Sequence, residues 1–266
     1  MKNDSKGPAV RPVEQLNLYA DTVAGDFQPY LETYLLDDGR EHGLVAVLPG
    51  GAYMCRADHE GRPVAERYNA LGFHAVVIQY RTAPNRFPSP QLDAMRAIQL
   101  VRERAARWRV KSDKIALLGF SAGGHLAASV GTIGQELQLS DSERFSPLPN
   151  ALILCYPVIS GGEYGHRGSF LNLFGDEVSA EIVDYYSLEK RVTPATPPAF
   201  LWHTASDESV PVANSLLFSK ALGDADVPFE LHVFPRGPHG IGLADAFPEA
   251  AVWPDLSAVW LAGRGF

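Results

Sequence analysis

Short, almost unbroken apolar runs punctuate the chain at residues 44–48, 74–80, 115–118, 151–156, 199–203 and 229–234. Each is rich in aliphatic or β-branched residues and too short for a typical helix, so each reads as a strand covered on both faces. Between them, apolar positions recur at helical spacing over 61–71, 91–107, 122–130, 212–222 and 248–261. Strand and helix therefore alternate. Right-handed crossovers then predict an α/β fold, a mainly parallel sheet with helices on both faces. Two earlier segments, 16–19 and 30–36, have no helical stretch between them and are expected to pair as an antiparallel edge. In such sheets ligands collect outside the carboxyl ends of the strands, so chemistry belongs in the turns where strands hand over to helices.

Composition narrows the classes. The 266 residues are 46% hydrophobic and 20% charged, enough to bury a sizeable core and unlike a disordered or low-complexity chain. No repeat period shows and no stretch is long enough for an interdomain linker, although 187–198 is dotted with proline. One domain over 1–266 is the simplest reading, with residues 1–13 expected as a flexible start. Lysine and arginine number 23 against 31 aspartates and glutamates, and this net charge of −8 without basic blocks argues against nucleic acid as a partner. Cys55 and Cys155, the two cysteines, are too few for a disulfide framework and read as thiols. No apolar stretch approaches the roughly 18 residues of a membrane span, and none follows the two lysines near the start. The expected location is cytoplasmic, a reading that secretion with removal of a signal peptide would leave unchanged.

The run 115–118 leads into Gly119-Phe120-Ser121-Ala122-Gly123, a G-x-S-x-G string between an apolar strand and an alanine-rich helix. The string alone is weak; its place after a strand and before a helix is what makes it informative. So tight a turn crowds the backbone, and glycines two residues either side remove the clashing Cβ atoms while the serine Oγ is held at the sheet edge. A serine nucleophile also needs a base and an acid to orient it, in the chain order Ser, Asp or Glu, His. Asp207 lies on a loop just past 199–203, and His239 on a glycine- and proline-bracketed loop just past 229–234. Taken singly, Asp207 could be a helix cap and His239 an ordinary loop histidine. Type, order and placement together point to a triad of Ser121, Asp207 and His239, with Glu208 as the rival acid. His203 and His232 fall within strands and His125 one helical turn past the serine, where structural roles are expected.

Acyl transfer further requires donors for the oxygen that turns negative in the tetrahedral intermediate. The strand 44–48 ends in Pro49-Gly50-Gly51-Ala52-Tyr53, a loop of small residues whose N–H groups could approach a carbonyl. Gly50 and Gly51 are the candidates there, and the Ala122 N–H at the helix start is the expected second donor. Asp58-His59-Glu60 lacks the second histidine of an H-E-x-x-H zinc motif, and neither metal nor cofactor is called for.

With these motifs in register, the sequence resembles the α/β-hydrolase superfamily, and within it the acetyl xylan esterase and feruloyl esterase-like small carboxylesterases. The likeness covers about residues 30–262 and rests on 48–53, on Ile78-Gln79-Tyr80-Arg81 with Ala83-Pro84 and Phe87-Pro88, and on 119–125, 197–211 and 238–240. The resemblance implies an eight-stranded, mostly parallel sheet, metal-free ester hydrolysis, triad roles for Ser121, Asp207 and His239, and an oxyanion hole at Gly51 and Ala122. Many relatives carry a histidine before the glycines and a third glycine, where this chain has Pro49 and Ala52. That departure leaves Gly50 against Gly51 open.

The residues before Leu44 leave little room for a cap, so a small lid or none is expected, with the cover over the site supplied by 159–198. Phe174, Tyr185 and Tyr186 from that segment, and Tyr53 beside the glycine loop, are the side chains expected to touch substrate, since an aromatic face with a polar handle suits a sugar or feruloyl ring. The implied partner is a small-molecule or oligosaccharide ester, with a homo-oligomer left open. The implied reaction is hydrolysis of short-chain or aromatic acyl esters of saccharides. The rival readings are an arylformamidase or amidase using the same triad, and a non-catalytic binder on the same fold.

Overall fold

The computed structural model describes residues 9–23, 27–137, 144–176 and 178–266. Eight strands form one sheet: β1 (Gln15–Asn17), β2 (Tyr30–Tyr34), β3 (His42–Leu48), β4 (His74–Gln79), β5 (Val110–Phe120), β6 (Ala151–Cys155), β7 (Ala199–Thr204) and β8 (Phe229–Phe234). Their order is β1-β2-β4-β3-β5-β6-β7-β8. From β4 to β8 every pairing is parallel, and β2 is antiparallel to both β1 and β4. The alternation of runs and the antiparallel edge foreseen from the sequence are both present.

The helices are α1 (Arg62–Ala70), α2 (Ser89–Trp108), α3 (Ser121–Ile133), α4 (Arg167–Phe174), α5 (Ala180–Tyr185), α6 (Ala213–Asp224) and α7 (Trp253–Ala262). β3 shows why apolar runs without alternation become central strands. Leu44, Ala46 and Leu48 face one side with Ala94 of α2, Leu126 of α3 and Phe218 of α6. Val45 and Val47 face the other with Val64 and Tyr68 of α1 and Trp253 of α7. Successive side chains of a strand point to opposite faces, and here both faces are covered.

The departures from the sequence reading concern the periphery. β8, read as a strand covered on both faces, ends the sheet with β7 as its one neighbour, so Phe229 and Val233 are exposed and its other positions only half-buried. α7 begins at Trp253 rather than 248, because 248–252 close in turns ahead of Pro254. The segment 159–198, expected as cover with no helix assigned to it, contains α4 and α5. Of the start expected to be flexible, residues 1–8 lie outside the described residues, and Val10 bridges Leu36 while the Arg11 N–H donates to Leu35 O at 2.7 Å. Among the described residues no helix is long and apolar enough to cross a membrane.

Candidate active site

β5 ends at Phe120 and α3 starts at the next residue, so the chain turns from strand to helix at Ser121 with φ at +52°. A non-glycine residue in that region is strained, and such strain persists only where its surroundings over-determine it. The flanking glycines supply that. A Cβ on Gly119 would stand 2.1 Å from Gly123 O, and one on Gly123 would stand 2.3 Å from Leu48 O. The G-x-S-x-G spacing is therefore what lets the first turn of α3 close onto β5 and β3.

Ser121 Oγ lies 2.7 Å from His239 Nε2, and His239 Nδ1 lies 2.7 Å from Asp207 Oδ2. Asp207 divides its two oxygens between structure and site. Oδ1 accepts the Ser209 and Val210 N–H groups, a local turn that fixes the carboxyl, and Oδ2 faces His239, with buried His203 Nε2 3.4 Å away. Burial alone would raise the Asp207 pKa, but hydrogen bonding from His203 and His239 and from the Val210 N–H holds it well below the usual carboxylate range. An ionised Asp207 makes His239 Nδ1 a donor and leaves Nε2 free to accept the serine proton. The His239 loop is tied to the end of β7 by Thr204 Oγ1 donating to Gly237 O at 2.7 Å. Glu208 is exposed on the same loop.

The glycine loop after β3 is pinned on several sides. Tyr80 Oη donates to Pro49 O at 2.6 Å, and Asn172 of α4 donates to Ala52 O at 2.8 Å. Gly50 donates its one N–H to Glu60 Oε2 at 2.8 Å, which removes it as a donor to a bound oxygen and corrects its place among the candidates. Gly51 follows at φ +127°, where a Cβ would stand 2.4 Å from Cys55 O. Only glycine fits both the dihedral and the space. The donors left are the N–H groups of Gly51 and of Ala122, the latter in the first turn of α3, where a helix leaves N–H groups without internal partners.

The aromatic side chains expected to meet substrate separate. Tyr53 is 1% exposed, and its hydroxyl meets His125 Nδ1 at 2.9 Å beneath the loop. Positive φ at both Ala52 and Tyr53 turns the chain so that this ring points into the core, so Tyr53 does not line the site. Tyr185 is drawn outward, its hydroxyl donating to Glu136 and its ring under Arg191. Phe174 and Tyr186 lie 4.5 Å apart with their rings tilted, and with Phe87 they form a partly exposed aromatic wall, which the buried Phe170 joins to His125. None of these rings packs on a member of the Ser121–His239–Asp207 chain. The ring that does is Tyr156, at the end of β6, 5.1 Å from the His239 ring.

His203 is buried between Ser215 and Val210 O, and His232 bonds Glu230, both inside strands as read from the sequence. His125 accepts from Tyr53 and its Nε2 donates to Tyr186 O at 3.3 Å, so it joins α3, the glycine loop and the cover. Burial pushes the His125 pKa down to about 4. The unfolded chain takes up that proton near pH 6.5, the folded chain only near 4, so stability present at neutral pH should be lost as pH falls through that window, by up to about 3 kcal/mol. His74, also pushed to about 4 by burial, acts in the same direction. Urea midpoints at pH 7 and 4.5 should therefore differ less in His125→Gln than in the wild type; equal differences would exclude His125 as a contributor.

His166, unremarked in the sequence, caps α4 with Nδ1 accepting the Ser169 N–H, and burial and the nearby His239 lower its pKa. Tyr156 also went unremarked, and Glu60 entered only within the Asp58-His59-Glu60 string set aside as a zinc motif. Their signals are faint: a charged residue at a helix start, and a tyrosine where an apolar strand ends.

The profile of a family described as BD-FAE matches residues 31–153, and that of the prolyl oligopeptidase family matches 173–250, the stretch holding Asp207 and His239. Endo-1,4-beta-xylanase B of Butyrivibrio fibrisolvens is 36% identical over 237 residues, covering 87% of this chain and 37% of that protein. An acetylxylan esterase of Xylanibacter ruminicola is 29% identical over 230 residues, covering 85% and 46%. The chain thus spans less than half the length of these two curated relatives. A solved structure of an acetyl ester-xyloside bifunctional hydrolase from Caldicellulosiruptor lactoaceticus superposes with a TM-score of 0.90 at 40% identity, covering 99% of both chains.

Proposed function

The chain belongs to the acetyl xylan esterase-like carboxylesterases of the α/β-hydrolase superfamily, and from that premise we propose that it hydrolyses short acyl esters of saccharides through an acyl-enzyme on Ser121. The observation that carries the mechanism is the pair of 2.7 Å contacts that run from a strained serine through His239 to a buried aspartate. Ser121 Oγ attacks the ester carbonyl carbon as His239 Nε2 takes its proton. The carbonyl oxygen becomes negative and is held by the Gly51 and Ala122 N–H groups, donors fixed before the charge develops. His239 returns the proton to the leaving sugar hydroxyl, and the acyl group stays on Ser121. Water, deprotonated by the same nitrogen, then attacks the acyl-enzyme and releases the acid. Asp207 remains ionised and steadies the imidazolium in each half.

The saccharide rests on two supports: the substrates named for the relatives, and the partly exposed wall of Phe87, Phe174 and Tyr186, which offers flat apolar surface for a sugar or an aryl acyl group. The test compares kcat/KM for acetylated xylo-oligosaccharides, methyl ferulate and N-formylkynurenine. The acetylated saccharide should be turned over fastest. A preference for N-formylkynurenine would replace this reading with a formamidase on the same triad.

A further inference from the structure

Glu60 takes no part in the chain of Ser121, His239 and Asp207, yet it is 2% exposed with both carboxyl oxygens engaged. Charged side chains are rarely buried unless held by partners, and here the partners belong to two different loops. Oε2 accepts the Gly50 N–H at 2.8 Å. Oε1 accepts the Tyr156 hydroxyl at 2.6 Å, and Tyr156 Oη accepts the Gly242 N–H at 2.8 Å. Gly50 precedes the donor Gly51, and Gly242 follows His239 by three residues. The adjacent His59 doubles the link, its Nε2 donating to Gly240 O at 2.9 Å. Among the described residues the one ion-pair contact of Glu60 is this same His59, at 3.8 Å.

We propose that Glu60 is a positioning residue, a clip that holds the oxygen-binding loop and the base loop in register so that the Gly51 N–H and His239 Nε2 address the same carbonyl. Two features make a carboxylate suited to this. It presents two acceptor oxygens and no donor, so it can hold an N–H on one side and an O–H on the other. By taking the Gly50 N–H it also spends that donor inside the protein and fixes the residue just before Gly51, whose own backbone is held at φ +127°. The Tyr156 ring, edge-on to His239, couples the second arm to the base itself.

This inference rests on the esterase reading, and its test separates the two. Glu60→Gln keeps the shape but sets an NH2 against either the Gly50 N–H or the Tyr156 hydroxyl. Tyr156→Phe keeps the ring on His239 but removes the hydroxyl, and with it both the bond to Glu60 Oε1 and the acceptor for the Gly242 N–H, while Glu60 keeps the Gly50 N–H. Loss of a whole oxyanion donor costs ~10² to 10³ in kcat, so a misaimed one should cost ~10- to 100-fold in Glu60→Gln with KM within about threefold. Tyr156→Phe should lose about fivefold or more in kcat. Turnover of p-nitrophenyl acetate is measured per site titrated with diethyl p-nitrophenyl phosphate, beside wild type and Ser121→Ala. Full kcat per titrated site in either variant overturns the clip, including where fewer sites titrate, since that is a folding role alone. If Glu60→Gln does not fold, Tyr156→Phe decides. A wild type no faster than Ser121→Ala defeats the esterase reading instead, and is recognisable as such.

Discussion

Ser121→Ala should lower kcat on p-nitrophenyl acetate by ~10⁵- to 10⁶-fold while the protein stays folded. The size follows from what is lost: the nucleophile goes, and His239 and Asp207 have nothing left to activate, so removing one member costs about as much as removing the unit. The Gly51 and Ala122 N–H groups survive the change, and a residual acceleration of ~10³ over water is expected from them and from substrate binding. The fold should tolerate it. Alanine keeps the Cβ that packs against Gly50, and the lost hydroxyl frees His239 Nε2 at a position where the ring is partly exposed and can meet water. The stability change is expected within about 1 kcal/mol, read from urea unfolding. Should the wild type be no faster than the mutant, the site would be a binding pocket on a hydrolase fold.

The parts of this arrangement visible in the sequence share a physical character. Central strands such as β3 and β6 are apolar on both faces, and no helix stripe or half-exposed strand leaves that signature. Ser121 was legible because its turn forbids a Cβ at Gly119 and Gly123, which writes the geometry into residue type. Asp207 and His239 were legible by their places beyond β7 and β8, since the topology brings successive strand ends to one edge.

What stayed hidden depends on side-chain direction and on contacts between distant residues. Tyr53 adjoins the glycine loop in sequence, but two successive positive-φ residues rotate it inward to His125, seventy-two residues away. Gly50 and Gly51 are the same residue type, and only the Glu60 carboxyl shows which N–H is already spent. Glu60 itself looks like an ordinary charge at the start of α1. Short helices α4 and α5 escaped because their few turns lie among glycines and aromatics, without a sustained apolar period.

Asp207→Asn should cost ~10⁴ in kcat, with the fold retained, for a reason distinct from that for Ser121. Asparagine can keep its oxygen where Oδ1 accepts the Ser209 and Val210 N–H groups, and it then turns its NH2 toward His239 Nδ1. Two donors cannot share that 2.7 Å contact, so the imidazole moves its proton to Nε2, the atom that must accept from Ser121. The nucleophile remains but its base is switched off. Asp207 is held well below the usual carboxylate range in the folded protein, so its contribution to stability is present above the unfolded value near pH 3.9 and is lost only as pH falls toward the folded one. Wild-type Asp207 therefore stays ionised between pH 6 and 8, and no change in the Asp207→Asn loss across that range comes from protonation of its carboxyl. Glu208→Gln, next in sequence but exposed, serves as the control and should keep kcat within about twofold, as expected for a surface substitution. The opposite pattern, with Glu208→Gln inactive and Asp207→Asn near normal, would move the orienting acid one residue along and require the loop to rearrange on binding substrate.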